Sequence, residues 1–160
     1  MPRESAFAAS ARDAGAVLRA YDGIELPEHY GDAVAEARAA RSAAGLFALD
    51  FRARLRLNGA DRASFLHNLL SNDVASLRPG SGCYATILTQ QSRVVSDTNV
   101  VCAEDEVFLD LEVSRKDRAR EHLEKYLVAE EVEIEDLAPA EATLGIHGPR
   151  APEIVRAVTR

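Results

Sequence analysis

The stretch "LTQQSRVVSDTNVVC", Leu88 to Cys102, decides how this chain folds. It reads as a turn over Thr89–Arg93 followed by a strand. Val94, Val95, Val100 and Val101 bound that strand, yet its centre carries Ser96, Asp97, Thr98 and Asn99. Residues two apart in a strand share a face, so Val95, Asp97, Asn99 and Val101 line one side and Ser96 and Thr98 the other. A carboxylate buried among valines without a partner costs several kcal/mol or loses its charge. Two placements avoid that cost. Asp97 and Asn99 face water across a one-sided sheet, or Asp97 stands at the rim of a cavity where a ligand's donor pairs with it.

Working outward, "CYATIL" before the turn and "VFLDLEV" after it also read as strands. The second alternates cleanly, with Val107, Leu109, Leu111 and Val113 on one face. The links between these three strands are short, which favours an antiparallel meander. "TQQSR" has hairpin length but lacks the usual Gly or Asn-Gly. Upstream, "FRARLRLNG" alternates Phe51, Ala53, Leu55 and Leu57 against Arg52, Arg54 and Arg56, a half-buried strand. Its three arginines read as a solvated or edge-protecting face. Downstream, "VEIED" is a charged edge-like strand with Val132 and Ile134 inward, and "ATLGIHG" is the last strand.

Helices lie between. "AVAEARAARSAAG" is helix-forming by its Ala, Glu and Arg content, with Asp32 as its cap and Gly45 as its stop. In "ADRASFLHNLLSNDV", Phe65, Leu66, Leu69 and Leu70 form one apolar stripe, and Asp61 stands at its start as a dipole partner and candidate cap. "SRKDRAREHLEKYLVAEEV" opens like a capping box on Ser114 and Asp117. "YDGIELPEHYGD" reads as a loop punctuated by Gly23, Pro27 and Gly31. Residues 1–20 are expected as a flexible or helical N-terminal arm. "HGPRAPEIVRAVTR" reads as a helix that has run about two turns without a stop signal, so the chain is expected to continue in a longer protein. The fold class that follows is α+β, a mostly antiparallel sheet with packed helices.

Composition narrows the function. The chain has 160 residues, 47% hydrophobic and 28% charged, as a globular domain with a core requires. Its net charge of −7 argues against general nucleic-acid or anionic-membrane binding. Cys83 and Cys102 lack CxxC spacing and read as free thiols of a reducing compartment. No segment reaches the ~20 apolar residues of a membrane span, and the N-terminus has no signal-peptide pattern. The expected location is the cytoplasm. His29, His67, His122 and His147 lack metal-site spacing, with His67 and His122 on helix surfaces. There is no GxSxG, and "RPGSGCY" precedes a strand rather than a helix, so it fails as a phosphate loop.

Three ordered pieces then resemble a known superfamily: "HYGDAVAEARAARSAAGLFALD", "LRLNGADRASFLHNLLSNDVASLRPGSGCYATILTQQSRVVSD" and "LGIHGPRAPEIV". They are similar to the N-terminal folate-binding region of the glycine cleavage T-protein (aminomethyltransferase) and of the YgfZ-type proteins that maintain iron–sulfur clusters. The resemblance covers roughly residues 21–158 and makes residues 21–160 a folate-binding domain. It implies tetrahydrofolate in a central hole between domains. It also implies an acid, at the end of a "GGxxDD" pattern, that contacts the pterin side and positions the amine for methylene transfer. Asp97 matches that acid. By the same resemblance, Tyr84 and Leu88 would line the pocket and Asn99 would share Asp97's face. Asn72 would fix the local turn or contact the ligand.

Departures accompany the match. Ser92 and Arg93 replace the paired glycines, Ser96 replaces the first acid, and Phe51 and Arg52 replace a His–Met pair. "SRVVSD" is closer to the YgfZ branch, while "YDGIELPEHYGD" and "AARSAAGLFALD" are closer to the T-protein. The leading expectation is a YgfZ-like tetrahydrofolate-binding protein that supports iron–sulfur cluster assembly or repair, with iron–sulfur proteins as partners. The alternatives are an aminomethyltransferase served by a lipoyl carrier protein, and an interaction domain of the same fold that binds no folate.

Overall fold

The computed structural model describes residues 3–138 and 141–159. In chain order its elements are β1 (Arg3–Glu4), α1 (Ala8–Asp13), β2 (Val17–Tyr21), β3 (Ile24–His29), α2 (Ala33–Ser42), β4 (Gly45–Ala48), β5 (Arg52–Asn58) and α3 (Arg62–Leu69). There follow β6 (Gly82–Leu88), β7 (Val94–Cys102), β8 (Val107–Glu112), α4 (Val113–Glu124), β9 (Glu133–Asp136), β10 (Leu144–His147) and α5 (Ala151–Val158). They group into two units: residues up to Phe51 together with those from Ala142 onward, and Arg52–Glu141. The expected α+β class, mostly antiparallel, holds.

The first unit differs from the sequence expectation at two places. Residues 3–20 do not form an arm; they supply β1, α1 and most of β2, with Ala8 and Ala11 buried. Residues 1 and 2 lie outside the described residues. Asp50, buried at the end of the β4 segment, accepts the Ser5 hydroxyl at 2.5 Å and the Ala6 N–H at 2.9 Å, which ties this stretch down. The second difference is β3, expected as loop, which is the middle strand of the order β1-β3-β2. Asp22 and Gly23, at φ 48° and 78°, form the two-residue left-handed turn that suits a hairpin. Pro27 is tolerated in β3 because β1 pairs only with Ile24 and Glu25, and the ladder to β2 is irregular beside it.

α2 is capped as expected. The Asp32 carboxylate accepts the N–H groups of Val34 and Ala35 at 2.9 and 3.0 Å. The helix ends at Ala43 rather than at Gly45, which instead opens β4, and β4 pairs antiparallel with β10. The "HGP" step has a steric reason. Gly148 has φ 122°, and a Cβ there would press into the carbonyl oxygens of Ala40 and Ala43, the latter at 2.6 Å. That close approach lets the Arg150 N–H donate to the Ala43 carbonyl at 2.9 Å.

The second unit is a five-stranded antiparallel sheet of order β6-β7-β8-β5-β9. The meander β6-β7-β8 is present, and β5 lies inside the sheet rather than at its edge. One face is covered: Leu55, Leu57, Ile87, Val100, Leu109 and Leu111 pack with Phe65 and Leu66 of α3 and Ala119 and Leu123 of α4. The other face carries the arginines of β5. Arg52 pairs with Asp110, Arg54 with Glu141, and Arg56 with Glu106 and Glu135, so this row is matched to acids on its neighbours. Two expected caps are absent. Ser114 lies inside α4, which starts at Val113 with no side-chain cap. Asp61 accepts the Glu131 N–H at 2.9 Å instead of capping α3. The β6–β7 turn closes without glycine because Ser92 takes φ 58°.

Two substitutions test these backbone assignments by thermal and urea melts. Ser92→Gly relieves a left-handed serine and is expected to stabilise the protein by about 1 kcal/mol. Gly148→Ala is expected to destabilise it by more than about 1 kcal/mol, since both its backbone angle and the Ala40 and Ala43 carbonyls oppose a Cβ.

Candidate functional site

The pleat of β7 separates its four polar residues. Ser96 and Thr98 are buried on the covered face, where their hydroxyls donate to the carbonyls of Asp97 (2.8 Å) and Asp110 (3.1 Å). Asp97 and Asn99 therefore stand on the opposite face, half-buried and exposed respectively. Val95 does not join them as expected. The register slips between Ile87 and Leu88, so that Ile87 pairs with Ser96 while Leu88 pairs with Val94. This bulge turns Val95 into the core, 4% exposed, and leaves Val94 outside, 59% exposed.

The structure brings Asp97 and Tyr84 together. The Tyr84 hydroxyl donates to Asp97 Oδ2 at 3.2 Å. Asn99 lies directly across from Tyr84, and Thr86, which sequence reasoning passed over, lies directly across from Asp97. Partial desolvation raises the Tyr84 phenol above its ordinary value; the hydrogen bond and the charge of Asp97 add to this, and Arg52 opposes it. The phenol thus stays protonated and remains a donor through the neutral range. The raised value stabilises the fold below the ordinary tyrosine pKa, and that contribution disappears as pH rises through the shifted one.

Asn72 holds the same strand from its edge. Its Nδ2 donates to the Tyr84 carbonyl at 2.8 Å, and its Oδ1 accepts the Asp73 N–H at 2.8 Å. Ser71 joins it: its N–H donates to the Thr86 carbonyl at 3.0 Å, and its hydroxyl accepts the Thr86 N–H at 2.9 Å. "SND" thus closes the open edge of β6, with the Asn72 side chain linking its own turn to that strand. Leu88 is set apart from the group. It lies four residues from Tyr84 on the same strand, about 13 Å of strand rise, beyond the bulge.

Arg52 is the other participant missed. Its Nε donates to Asp110 Oδ1 at 2.8 Å and its Nη2 to the Asp110 carbonyl at 2.7 Å. The alternation of "FRARLRL" assigns Arg52 to the outer face, but no local signal shows that β5 lies beside β8. Two hollows, of 770 Å³ in the first unit and 420 Å³ near Asp61 and Tyr126 in the second, contain neither Asp97 nor Tyr84. Among the described residues no His, Cys, Asp and Glu group could hold a metal ion, and no helix is long and apolar enough to cross a membrane. Cys83 and Cys102 are free and pack against the core, and burial raises the Cys83 thiol.

A one-sided antiparallel sheet that presents a steadied carboxylate on its open face defines the class of domain. The chain belongs to the GCVT N-terminal domain family, which matches residues 7–160. It is 30% identical over 149 residues to an aminomethyltransferase of Desulforamulus reducens, covering 91% of this chain and 40% of that protein. It is 34% identical over 149 residues to the aminomethyltransferase of Methylococcus capsulatus, covering 90% of this chain and 40% of the relative. The fold is that of the glycine cleavage system aminomethyltransferase T of Bartonella henselae. The TM-score is 0.90 at 21% identity, covering 98% of this chain and 44% of that one. The chain thus spans about two fifths of the length of the relatives it matches.

Ultraviolet titration of the tyrosines checks the Tyr84–Asp97 contact. The Tyr84 phenol is expected to ionise above the ordinary tyrosine value. Asp97→Asn is expected to reduce that upward shift, because it removes the hydrogen-bonded charge beside the phenol. Identical titrations of the two proteins would rule the contact out.

Proposed function

We propose that this chain is the folate-binding part of an aminomethyltransferase of the glycine cleavage type, with tetrahydrofolate as the acceptor of the one-carbon unit. The observation that carries this reading is the Asp97 carboxylate. Tyr84 engages its Oδ2, and among the described residues no protein donor engages its Oδ1. A reduced pterin offers amino and ring N–H donors beside a carbonyl acceptor. A carboxylate flanked by the exposed carboxamide of Asn99 complements that pattern, since the carboxamide both donates and accepts. Tetrahydrofolate, when bound, supplies the nitrogen that takes up the carbon. The chain's own part is to hold the ring and orient that nitrogen through Asp97. A lipoyl carrier protein is the expected partner that delivers the aminomethyl group.

Two departures from the family pattern weigh less than the sequence suggests. Ser96, at the place of the first acid, points into the covered face, so losing an acid there takes nothing from the ligand side. Ser92 adopts the left-handed backbone that a glycine would supply. Both points favour retained folate binding over an interaction domain without ligand. The aminomethyltransferase relatives favour the transferase branch over the YgfZ-like reading with iron–sulfur partners. An outward carboxylate on an open sheet face suits one wall of a site that other domains complete.

Calorimetric titration of the full-length protein with tetrahydrofolate tests the proposal. Saturable binding is expected, with Asp97→Asn weakening it at least about tenfold, ~1.4 kcal/mol. Absence of saturable binding to the wild-type protein would overturn the reading, and an unchanged affinity in Asp97→Asn would remove Asp97 as the anchor.

A further inference from the structure

We infer that His122 is a positioning residue for Asp97, acting through the β-bulge two residues before it, at which the strand's uninterrupted register begins. From Gly82 to Ile87 the two strands keep one register, which ends at Ile87 with Ser96. Continued without interruption, that register would pair Leu88 with Val95. Instead Leu88 pairs with Val94, and Val95 is the extra residue, two positions before Asp97. The bulge therefore decides that Val95 fills the core and that the polar face begins at Asp97.

One side chain reaches this point from beneath the sheet. His122 Nε2 lies 3.0 Å from the Leu88 carbonyl oxygen. A carbonyl only accepts, so Nε2 carries the proton and donates. The imidazole is itself held: His122 is half-buried on α4, whose Ala119 and Leu123 are in the core, and its ring meets Tyr126 edge-on at 5.1 Å. The turn's own bonds join Thr89 to Ser92 and Arg93 and do not involve the Leu88 carbonyl. α4 is thus linked to the bulge through His122, and the bulge to Asp97 through two residues of strand. A histidine expected on a solvated helix surface instead anchors the base of the hairpin.

The consequence for ligand binding rests on the folate reading; the effect on the hairpin does not. The test compares full-length wild type with His122→Ala and with His122→Gln, which keeps an N–H donor at similar reach. In His122→Ala, amide hydrogen exchange at Thr89 and Ser92 is expected to accelerate about tenfold, as loss of one hydrogen bond predicts. The high Tyr84 titration is expected to fall toward the ordinary tyrosine value as Asp97 loses its aim. His122→Gln restores both. Tetrahydrofolate affinity is expected to follow the same order, and His122→Ala added to Asp97→Asn should weaken binding no further. Unchanged exchange and unchanged Tyr84 titration in His122→Ala overturn the inference. So does additivity with Asp97→Asn, because a general loss of stability would act whether or not the carboxylate is present. A wild type that binds no folate overturns the folate reading alone, and the exchange and Tyr84 measurements still decide the role of His122.

Discussion

Ser96 and Thr98 sit on the covered face of the five-stranded sheet, and each hydroxyl donates to a backbone carbonyl. The outer arrangement follows from this constraint. A hydroxyl with a local partner can be buried at little cost, whereas a carboxylate in the same place would be left unsatisfied or forced neutral. Because strand side chains alternate, a one-residue slip of β7 would exchange the two sets and bury Asp97. The polar centre of "VVSDTNVV" is therefore a register signal. Small hydroxyls tolerate the inside, the acid and amide do not, and the valines on either side secure the strand.

The outer face depends on a second kind of matching. The arginines of β5 meet acids on β8 and β9, and the β6 edge is closed by Ser71 and Asn72. Partly exposed ion pairs of this sort contribute little stability each. On this face Arg52 is engaged by Asp110, and Asp97 by the Tyr84 hydroxyl. Tyr84 is in turn held through its own carbonyl by Asn72. The candidate site thus centres on one carboxylate, paired with a tyrosine whose backbone carbonyl is held from the strand edge.

Much of this was legible in the chain. The alternation of "RARLRLN" and "VFLDLE", the apolar stripe of α3 and the Asp32 cap are local patterns set by the pleat, the helical turn and the first-turn N–H groups. Other features were hidden by competing local signals. Pro27 concealed β3, because its tolerance depends on how far β1 extends. Ala-rich composition made residues 1–20 look like an arm, although a buried Asp50 forty-odd positions away ties them down. The Asp22–Gly23 turn could have been read, since that dipeptide between apolar runs marks a hairpin.

By itself the sequence determined the periods, and with them which residues share a face: Asp97 with Asn99, and the three arginines with one another. It also determined the family, through motifs at fixed spacing. Only the tertiary structure decided that β5 lies between β8 and β9, that Val95 leaves Asp97's face at a bulge, and that His122 reaches the Leu88 carbonyl. The reason is physical. Side-chain direction within an element is a property of backbone geometry over a few residues. Strand neighbours, bulge position and helix-to-strand hydrogen bonds are set by packing between segments tens of residues apart.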